Sequence, residues 1–225
     1  MGKLFIVATP IGNLDDITYR AVEILKSVDL ILCEDTRRTI KLLNHYEIKN
    51  KLLSYHSYNE KKNLNKIIDM LNLENKNIAL VTDNGTPTIS DPGWILVNEC
   101  YKNKIDVIPI PGASALTCSL SICGFSTDNF IFIGFLPRKE GKIKKILGKL
   151  KEYEGLIIIY ESPFRVKETL KIIREIFTSE KEIFIGRELT KVYEEKIRGK
   201  IDEVIEKLDK IEQLKGEFVL IINNY

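Results

Sequence analysis

Ile78-Ala79-Leu80-Val81-Thr82-Asp83-Asn84-Gly85-Thr86-Pro87-Thr88-Ile89-Ser90-Asp91-Pro92-Gly93 is the stretch on which the reading of this chain turns. Ile78 to Val81 is an apolar run of the length expected for a buried strand. The chain then becomes polar and rich in glycine and proline, the residues that break regular structure. Asp83 falls where the strand ends, and Asp91 is placed to cap a following helix with Pro92 in its first position. In open α/β sheets ligands bind beyond the carboxyl ends of strands. A long polar loop leaving a buried strand is therefore a candidate site.

The same grammar extends in both directions. Lys3 to Ala8 reads as a strand ending in Thr9-Pro10-Ile11-Gly12-Asn13-Leu14-Asp15, with Asp16 capping a helix from about 17 to 27. Asp29 to Cys33 is a strand ending in Glu34-Asp35-Thr36-Arg37-Arg38-Thr39, and a helix follows towards Tyr46. A short strand at 52–55, a helix at 59–71, a helix at 93–101 and a strand at 105–110 complete the first half. The last strand ends in Pro111-Gly112-Ala113-Ser114-Ala115. Short apolar strands alternating with amphipathic helices mean a largely parallel α/β sheet.

The second half carries strands at 130–135, 156–160, 183–185, 192–198 and 216–222, with helices at 142–152 and 165–177 and one between the last two strands. Tyr193-Glu194-Glu195-Lys196 is polar on both faces, as an edge strand would be. Gly124 to Asn129 is the expected boundary, giving an N-terminal α/β domain at 1–123 and a C-terminal one at 124–225.

Composition bounds the function. The chain has 225 residues, 44% of them hydrophobic, and a net charge of +2, so overall charge does not argue for nucleic acid. No apolar run approaches a membrane span, and no secretory leader precedes the first strand, so a cytoplasmic protein without membrane contact is expected. Cys33, Cys100, Cys118 and Cys123 lack the spacing of a zinc or redox site and read as free thiols. His45 and His56 are too few and isolated for a metal site, so no metal is expected. There is no Gly-x-Gly-x-x-Gly after the first strand, no Walker loop and no Gly-x-Ser-x-Gly elbow, which weakens dehydrogenase, kinase and hydrolase readings.

Seven motifs in order carry a resemblance. They are residues 6–14, 34–39, 83–93 and 109–115, then Gly134-Phe135-Leu136-Pro137, Tyr160-Glu161-Ser162-Pro163 and Arg187-Glu188-Leu189-Thr190-Lys191. With these the chain resembles the small-subunit ribosomal RNA methyltransferases of the tetrapyrrole methylase superfamily. Asn84, Phe164 and Tyr193 depart from the usual pattern without removing a motif.

The resemblance implies two α/β domains with S-adenosylmethionine in the cleft between them, a homodimer, and 2′-O-methylation of a cytidine ribose in the decoding region of 16S rRNA. It points to Pro10, Asp83, Gly85, Thr86, Thr88, Ser114, Ala115, Tyr160, Leu189, Thr190, Gly216 and Glu217 for cofactor contact. Carboxylates at strand ends are the available proton acceptors: Glu34, Asp35, Asp83, Glu161 and Glu188, with Glu188 and Asp35 favoured. Each can equally cap a helix or pair with a neighbouring cation. RNA contact is expected at Arg37, Arg38 and Lys41, and in a second basic cluster at Arg138, Lys139, Lys142 and Lys145. Two rival readings are a tetrapyrrole C-methyltransferase and a non-catalytic ribosome- or RNA-binding module.

Overall fold

The computed structural model describes residues 1–225 and divides by packing into two units, Met1–Ser114 and Ala115–Tyr225. Both are α/β. No helix is long and apolar enough to cross a membrane.

In the first unit five strands form one wholly parallel sheet. They are β1 (Leu4–Val7), β2 (Leu30–Cys33), β3 (Leu52–Ser54), β4 (Ile78–Leu80) and β5 (Val107–Ile110), in the order β3-β2-β4-β1-β5. The connecting helices are α1 (Tyr19–Ser27), α2 (Thr36–His45), α3 (Glu60–Asn72) and α4 (Trp94–Lys102). Central β4 is buried along its whole length, as its unbroken apolar run requires. One core lies around Leu4, Leu32, Ile67, Leu71, Ile78, Leu80 and Leu96, the other around Val7, Leu25, Ile31, Leu43 and Val81. Because every strand runs the same way, every strand-end loop of this unit emerges along one edge.

Two helix starts differ from the sequence expectation. Asp16 ends a short 3-10 turn, Leu14–Asp16, and α1 is capped instead by Thr18, whose hydroxyl accepts the Ala21 N–H at 3.1 Å. Asp91 and Pro92 stay outside α4, whose cap is Gly93 at φ 129°. A Cβ there would run into the Leu80 side chain on β4 and crowd Thr88, so the close approach of loop to strand selects glycine.

The second unit opens with α5 (Ala115–Ile122). Its strands are β6 (Phe130–Phe135), β7 (Leu156–Glu161), β8 (Glu182–Arg187), β9 (Glu195–Lys200) and β10 (Phe218–Asn223), in the order β6-β7-β10-β8-β9. Only β6 and β7 are parallel; β7–β10, β10–β8 and β8–β9 are antiparallel. The expectation of largely parallel pairing therefore holds for the first unit and not for this one. The physical reason is that β8 and β9 form a hairpin and β10 returns between β7 and β8. Helices α6 (Glu140–Lys149), α7 (Val166–Phe177) and α8 (Ile201–Asp209) cover a core that includes Leu147, Ile157, Ile159, Leu170, Ile173, Ile185, Val204 and Leu220. β9 lies at the sheet edge, as expected for this stretch, with Ile197 alone reaching the core.

Packing places the division at Ser114/Ala115, ahead of the 123/124 division expected from sequence. Helix α5 packs against β10 of the second unit, and the 124–129 segment is tied to the same unit. The Arg198 guanidinium donates to the Gly124 carbonyl at 3.0 Å and lies 4.3 Å from the Phe125 ring centroid, and the Tyr225 hydroxyl accepts the Asn129 N–H at 2.9 Å.

Candidate functional site

In the first unit the strand-end loops are bonded to one another. Thr9, after β1, and Gly85, after β4, exchange backbone hydrogen bonds: the Thr9 N–H donates to the Gly85 carbonyl at 2.8 Å and the Gly85 N–H returns at 3.1 Å. The buried Thr9 hydroxyl donates to the Thr82 carbonyl at 3.1 Å. The Thr86 hydroxyl donates to the Ala113 carbonyl at 3.1 Å, bringing in the loop after β5. Gly85 has φ 86° and its missing Cβ faces Ile11 at 3.3 Å. Thr88 and Ser90 also have positive φ, at 73° and 65°. The loop is thus built from uncommon backbone conformations, which accumulate where function imposes them. Pro10, Asp83, Gly85, Thr86, Thr88 and Ser114 are all on this edge, and Ala115 opens α5 in the second unit.

The acidic residues here are not equivalent. The Asp83 carboxylate accepts the backbone N–H of Asp35 at 3.0 Å and pairs with Arg38 at 3.5 Å. Burial nevertheless leaves the Asp83 carboxyl above its ordinary range. Asp35 is the N-cap of α2, and its carboxylate also forms a two-pronged pair with its neighbour: Arg37 Nε reaches Oδ1 at 3.0 Å and Nη2 reaches Oδ2 at 2.7 Å. Hydrogen bonding to Arg37 holds Asp35 down at about 2. Glu34 is half-buried at the end of β2. Its Oε2 accepts a long bond from the Thr82 hydroxyl at 3.4 Å, and burial together with the Asp83 charge pushes its carboxyl up. Glu34 and Asp83 are thus both raised by burial, and of the three Asp35 has the least capacity to take a proton. Arg37 and Arg38 are both committed to carboxylates, while Lys41 is exposed and carries no ion pair.

In the second unit the register brings four loops to one sheet edge. Phe218 pairs with Glu161 on one side and Arg187 on the other, and Arg187 pairs in turn with Glu195. Tyr160, Glu188, Leu189, Thr190, Gly216 and Glu217 therefore share an edge although they come from three separate stretches of sequence. The Tyr160 ring meets Phe132 and Phe135 edge-on, with centroids at 4.8 and 5.7 Å. Leu189 is buried.

Glu188 has φ 49°, and its Oε1 accepts both the Lys191 ammonium at 2.8 Å and the Glu217 N–H at 2.9 Å. Burial works against this charge, but Lys191 and the Glu217 N–H outweigh it and bring the carboxyl below its usual value. Gly216, at φ 92°, sits where any Cβ would collide with the Glu188 side chain. Glu188 thus works in this geometry as a clamp on the β10 approach loop. Glu161 is fully buried and saturated: it accepts the Thr169 hydroxyl at 2.7 Å and the Ser162 N–H at 2.8 Å, and pairs with Arg165 at 3.3 Å.

Two interactions escaped sequence reasoning. Arg165 donates to the Leu136 and Pro137 carbonyls at 3.1 and 2.9 Å, anchoring the loop that enters α6. Thr82 bridges to Glu34 across β4 and β2. Neither has a local sequence pattern, since each joins residues more than 25 positions apart. No group of side chains has the makings of a metal site, and none of the four cysteines is in a disulfide.

Comparison with known proteins gives these features a context. A family model described as tetrapyrrole (corrin/porphyrin) methylases matches residues 3–205. A Thermotoga maritima protein named ribosomal RNA small subunit methyltransferase I is 48% identical over 99% of this chain and 99% of its own length. A Bacillus subtilis protein of the same name is 49% identical over 99% of this chain and 75% of its own length. Among solved structures, a uroporphyrin-III C-methyltransferase from Thermus thermophilus, complexed with S-adenyl homocysteine, superposes with a TM-score of 0.68 at 14% identity. The match covers 98% of this chain and 97% of that one, a likeness of fold.

Proposed function

The chain belongs to the tetrapyrrole methylase family, and on that premise we propose that it is an S-adenosylmethionine-dependent methyltransferase acting on the RNA of the small ribosomal subunit. The observation that carries this reading is the 48% identity, over 99% of both chains, with a relative named for that activity. The finer reading is 2′-O-methylation of a cytidine ribose in the decoding region of 16S rRNA, by a protein that works as a homodimer.

The loop edges suit the cofactor's chemistry. A ligand with a carboxylate, ribose hydroxyls and a cationic sulfur needs backbone donors and acceptors, an apolar or aromatic surface and nearby negative charge. The backbone of the 83–88 loop, bent through Gly85 and Thr88 at positive φ, supplies the first. Tyr160 with Phe132 and Phe135 supplies the second, and Glu34 with Asp83 the third. When bound, S-adenosylmethionine supplies a methyl group on a sulfonium. We assign Pro10, Asp83, Gly85, Thr86, Thr88, Ser114, Ala115, Tyr160, Leu189, Thr190, Gly216 and Glu217 to holding it.

The protein's task in an in-line displacement is to align donor and acceptor and to exclude water. Asp83 and Glu188, each fixed by at least two bonds, hold their loops for that purpose. Asp35 does the same from the start of α2. The ribose hydroxyl must lose a proton, and a positioned base contributes roughly 10²–10⁴-fold to such a step. Glu34 is our assignment for that acceptor, because its carboxylate is less saturated than those of Asp35 and Glu188 and is pushed up by burial.

The test is transfer of labelled methyl from S-adenosylmethionine to undermethylated small ribosomal subunits, followed by nucleoside mapping. Labelled 2′-O-methylcytidine is the expected product. Label on a base would replace the finer reading, and no transfer to RNA would sink the whole assignment.

A further inference from the structure

Helix α6 divides its lysines into two kinds. Lys144 is spoken for: it pairs with Glu140 at 2.8 Å and with Glu175 of α7 at 2.6 Å. Lys142, Lys145 and Lys149 are exposed and carry no ion pair. Their spacing, three and then four residues, puts them on one helical face, opposite the Ile143 and Leu147 side that enters the core. Arg138 and Lys139 lead into the same helix, both exposed. Glu140 is the only acid within α6, and it is engaged by Lys144.

Two glycines lie beside these lysines. Gly141 and Gly148 flank Lys145 at four and three residues, and both are exposed. A Cβ on either would meet nothing within 4 Å. Neither packing nor a turn explains them, and glycine inside a helix is less favourable than alanine. Like charges at helical spacing are also unfavourable. An ordinary solvated face would mix charge signs and use better helix formers. Two choices made against local stability on one face indicate a functional demand.

We propose that this face of α6 is the surface along which the protein holds the sugar–phosphate backbone of its RNA substrate, with Gly141 and Gly148 left bare for close approach. The inference rests on the ribosomal RNA reading above and names where that substrate is gripped. Lys142 to Lys149 spans roughly 10 Å along the helix at ~1.5 Å per residue, long enough to address several successive phosphates. The approach loop is held for this use: Arg165 ties the Leu136 and Pro137 carbonyls to buried Glu161.

The experiment measures affinity of the full chain for undermethylated small subunits and for a single-stranded oligonucleotide of the 16S decoding region, across a potassium chloride series. The triple variant Lys142→Gln/Lys145→Gln/Lys149→Gln is expected to bind at least tenfold more weakly. Its slope of log affinity on log salt should be shallower by about two, since each lost single-strand phosphate contact removes ~0.7. Binding of S-adenosylhomocysteine, read by calorimetry, stays as in the native chain. Lys144→Gln leaves the salt slope unchanged. Gly148→Gln introduces a better helix former, so it should melt no lower than the native protein and yet bind RNA more weakly; a loss of stability in parallel with affinity counts against the proposal. A triple variant with native affinity and slope overturns it while leaving the methyltransferase reading intact. The native chain and the triple variant are also titrated with phosphatidylserine vesicles; if the variant loses affinity only for these, the face belongs to a membrane and the proposal fails. A native chain that binds neither RNA removes this surface together with the reading it rests on.

Discussion

The Asp83 carboxylate accepts the backbone N–H of Asp35 at 3.0 Å, joining the loop after β4 to the loop after β2. The same carboxylate pairs with Arg38, one turn into α2. One side chain thus fixes the start of a helix and the ends of two neighbouring strands. Asp83→Ala leaves that N–H without its acceptor and releases Arg38. We expect a loss of about 1–3 kcal/mol, typical of a hydrogen bond to a charged group, and weaker S-adenosylhomocysteine binding. Asp83→Asn keeps an acceptor and should recover most of the stability. Urea denaturation and calorimetry check both; equal stability of the alanine variant would remove the role.

Glu34 gives a pH-dependent prediction. Burial first, and the Asp83 charge second, raise its carboxyl above the ordinary 4.5, with Arg38, His56 and the Thr82 hydroxyl opposing. The folded chain therefore keeps this proton to higher pH than the unfolded chain does. Between 4.5 and the raised value the folded state binds more protons, so ionising Glu34 costs stability as pH rises through that window. Glu34→Gln removes this cost. The variant should melt above the native protein at pH 7, and the gap should close by pH 4. If Glu34 also accepts the ribose proton, methyl transfer falls by roughly 10²–10⁴-fold in the same variant. Parallel melting curves at both pH values would contradict the first part, and native transfer rates the second.

Gly216→Ala places a Cβ against the Glu188 side chain at a backbone φ of 92°. Strain of this kind costs on the order of 1–3 kcal/mol. Adding Glu188→Ala removes the collision, so the double variant should lose less than the sum of the singles. A double-mutant cycle in urea measures the coupling, and strict additivity would show that the two do not meet.

Glu161→Ala leaves the buried Thr169 hydroxyl and the Ser162 N–H without their acceptor and takes the carboxylate away from half-buried Arg165, which keeps the Leu136 and Pro137 carbonyls. Leaving a buried polar group without its partner costs about 1–3 kcal/mol, and the thermal midpoint should fall accordingly. Arg165→Met leaves the charge of α6 untouched but frees the 136–137 loop. It should weaken RNA binding with the native salt slope, because Arg165 positions the loop and does not neutralise a phosphate. A reduced slope would reassign Arg165 to direct contact.

Much of this molecule is legible in one dimension. The run Ile78–Val81 announces a buried strand because four consecutive apolar residues exclude solvent from both faces of a sheet. The alternation of such runs with amphipathic helices specifies two α/β halves, and the seven loop motifs specify the family. Helix starts were less legible: Thr18 rather than Asp16, and Gly93 rather than Asp91, decide where α1 and α4 begin. Several polar residues lie near each start, and only the backbone path selects one of them.

The tertiary structure alone decided strand direction in the second unit and the state of each charged group. β7 and β10 pair antiparallel across more than 50 residues of intervening chain, and no local pattern encodes that choice. Asp35, Glu34 and Asp83 are the same kind of residue in sequence. They differ because one is saturated by Arg37, one is half-buried with a single long hydrogen bond, and one spans two loops. Likewise Lys144 and Lys145 are adjacent in sequence and unlike in structure, since only Lys144 faces Glu175 on α7. Composition and periodicity follow from which residues must leave water, so the chain carries them by itself. Proton affinity and free charge follow from distances between groups far apart in sequence, and those distances exist only once the chain has folded.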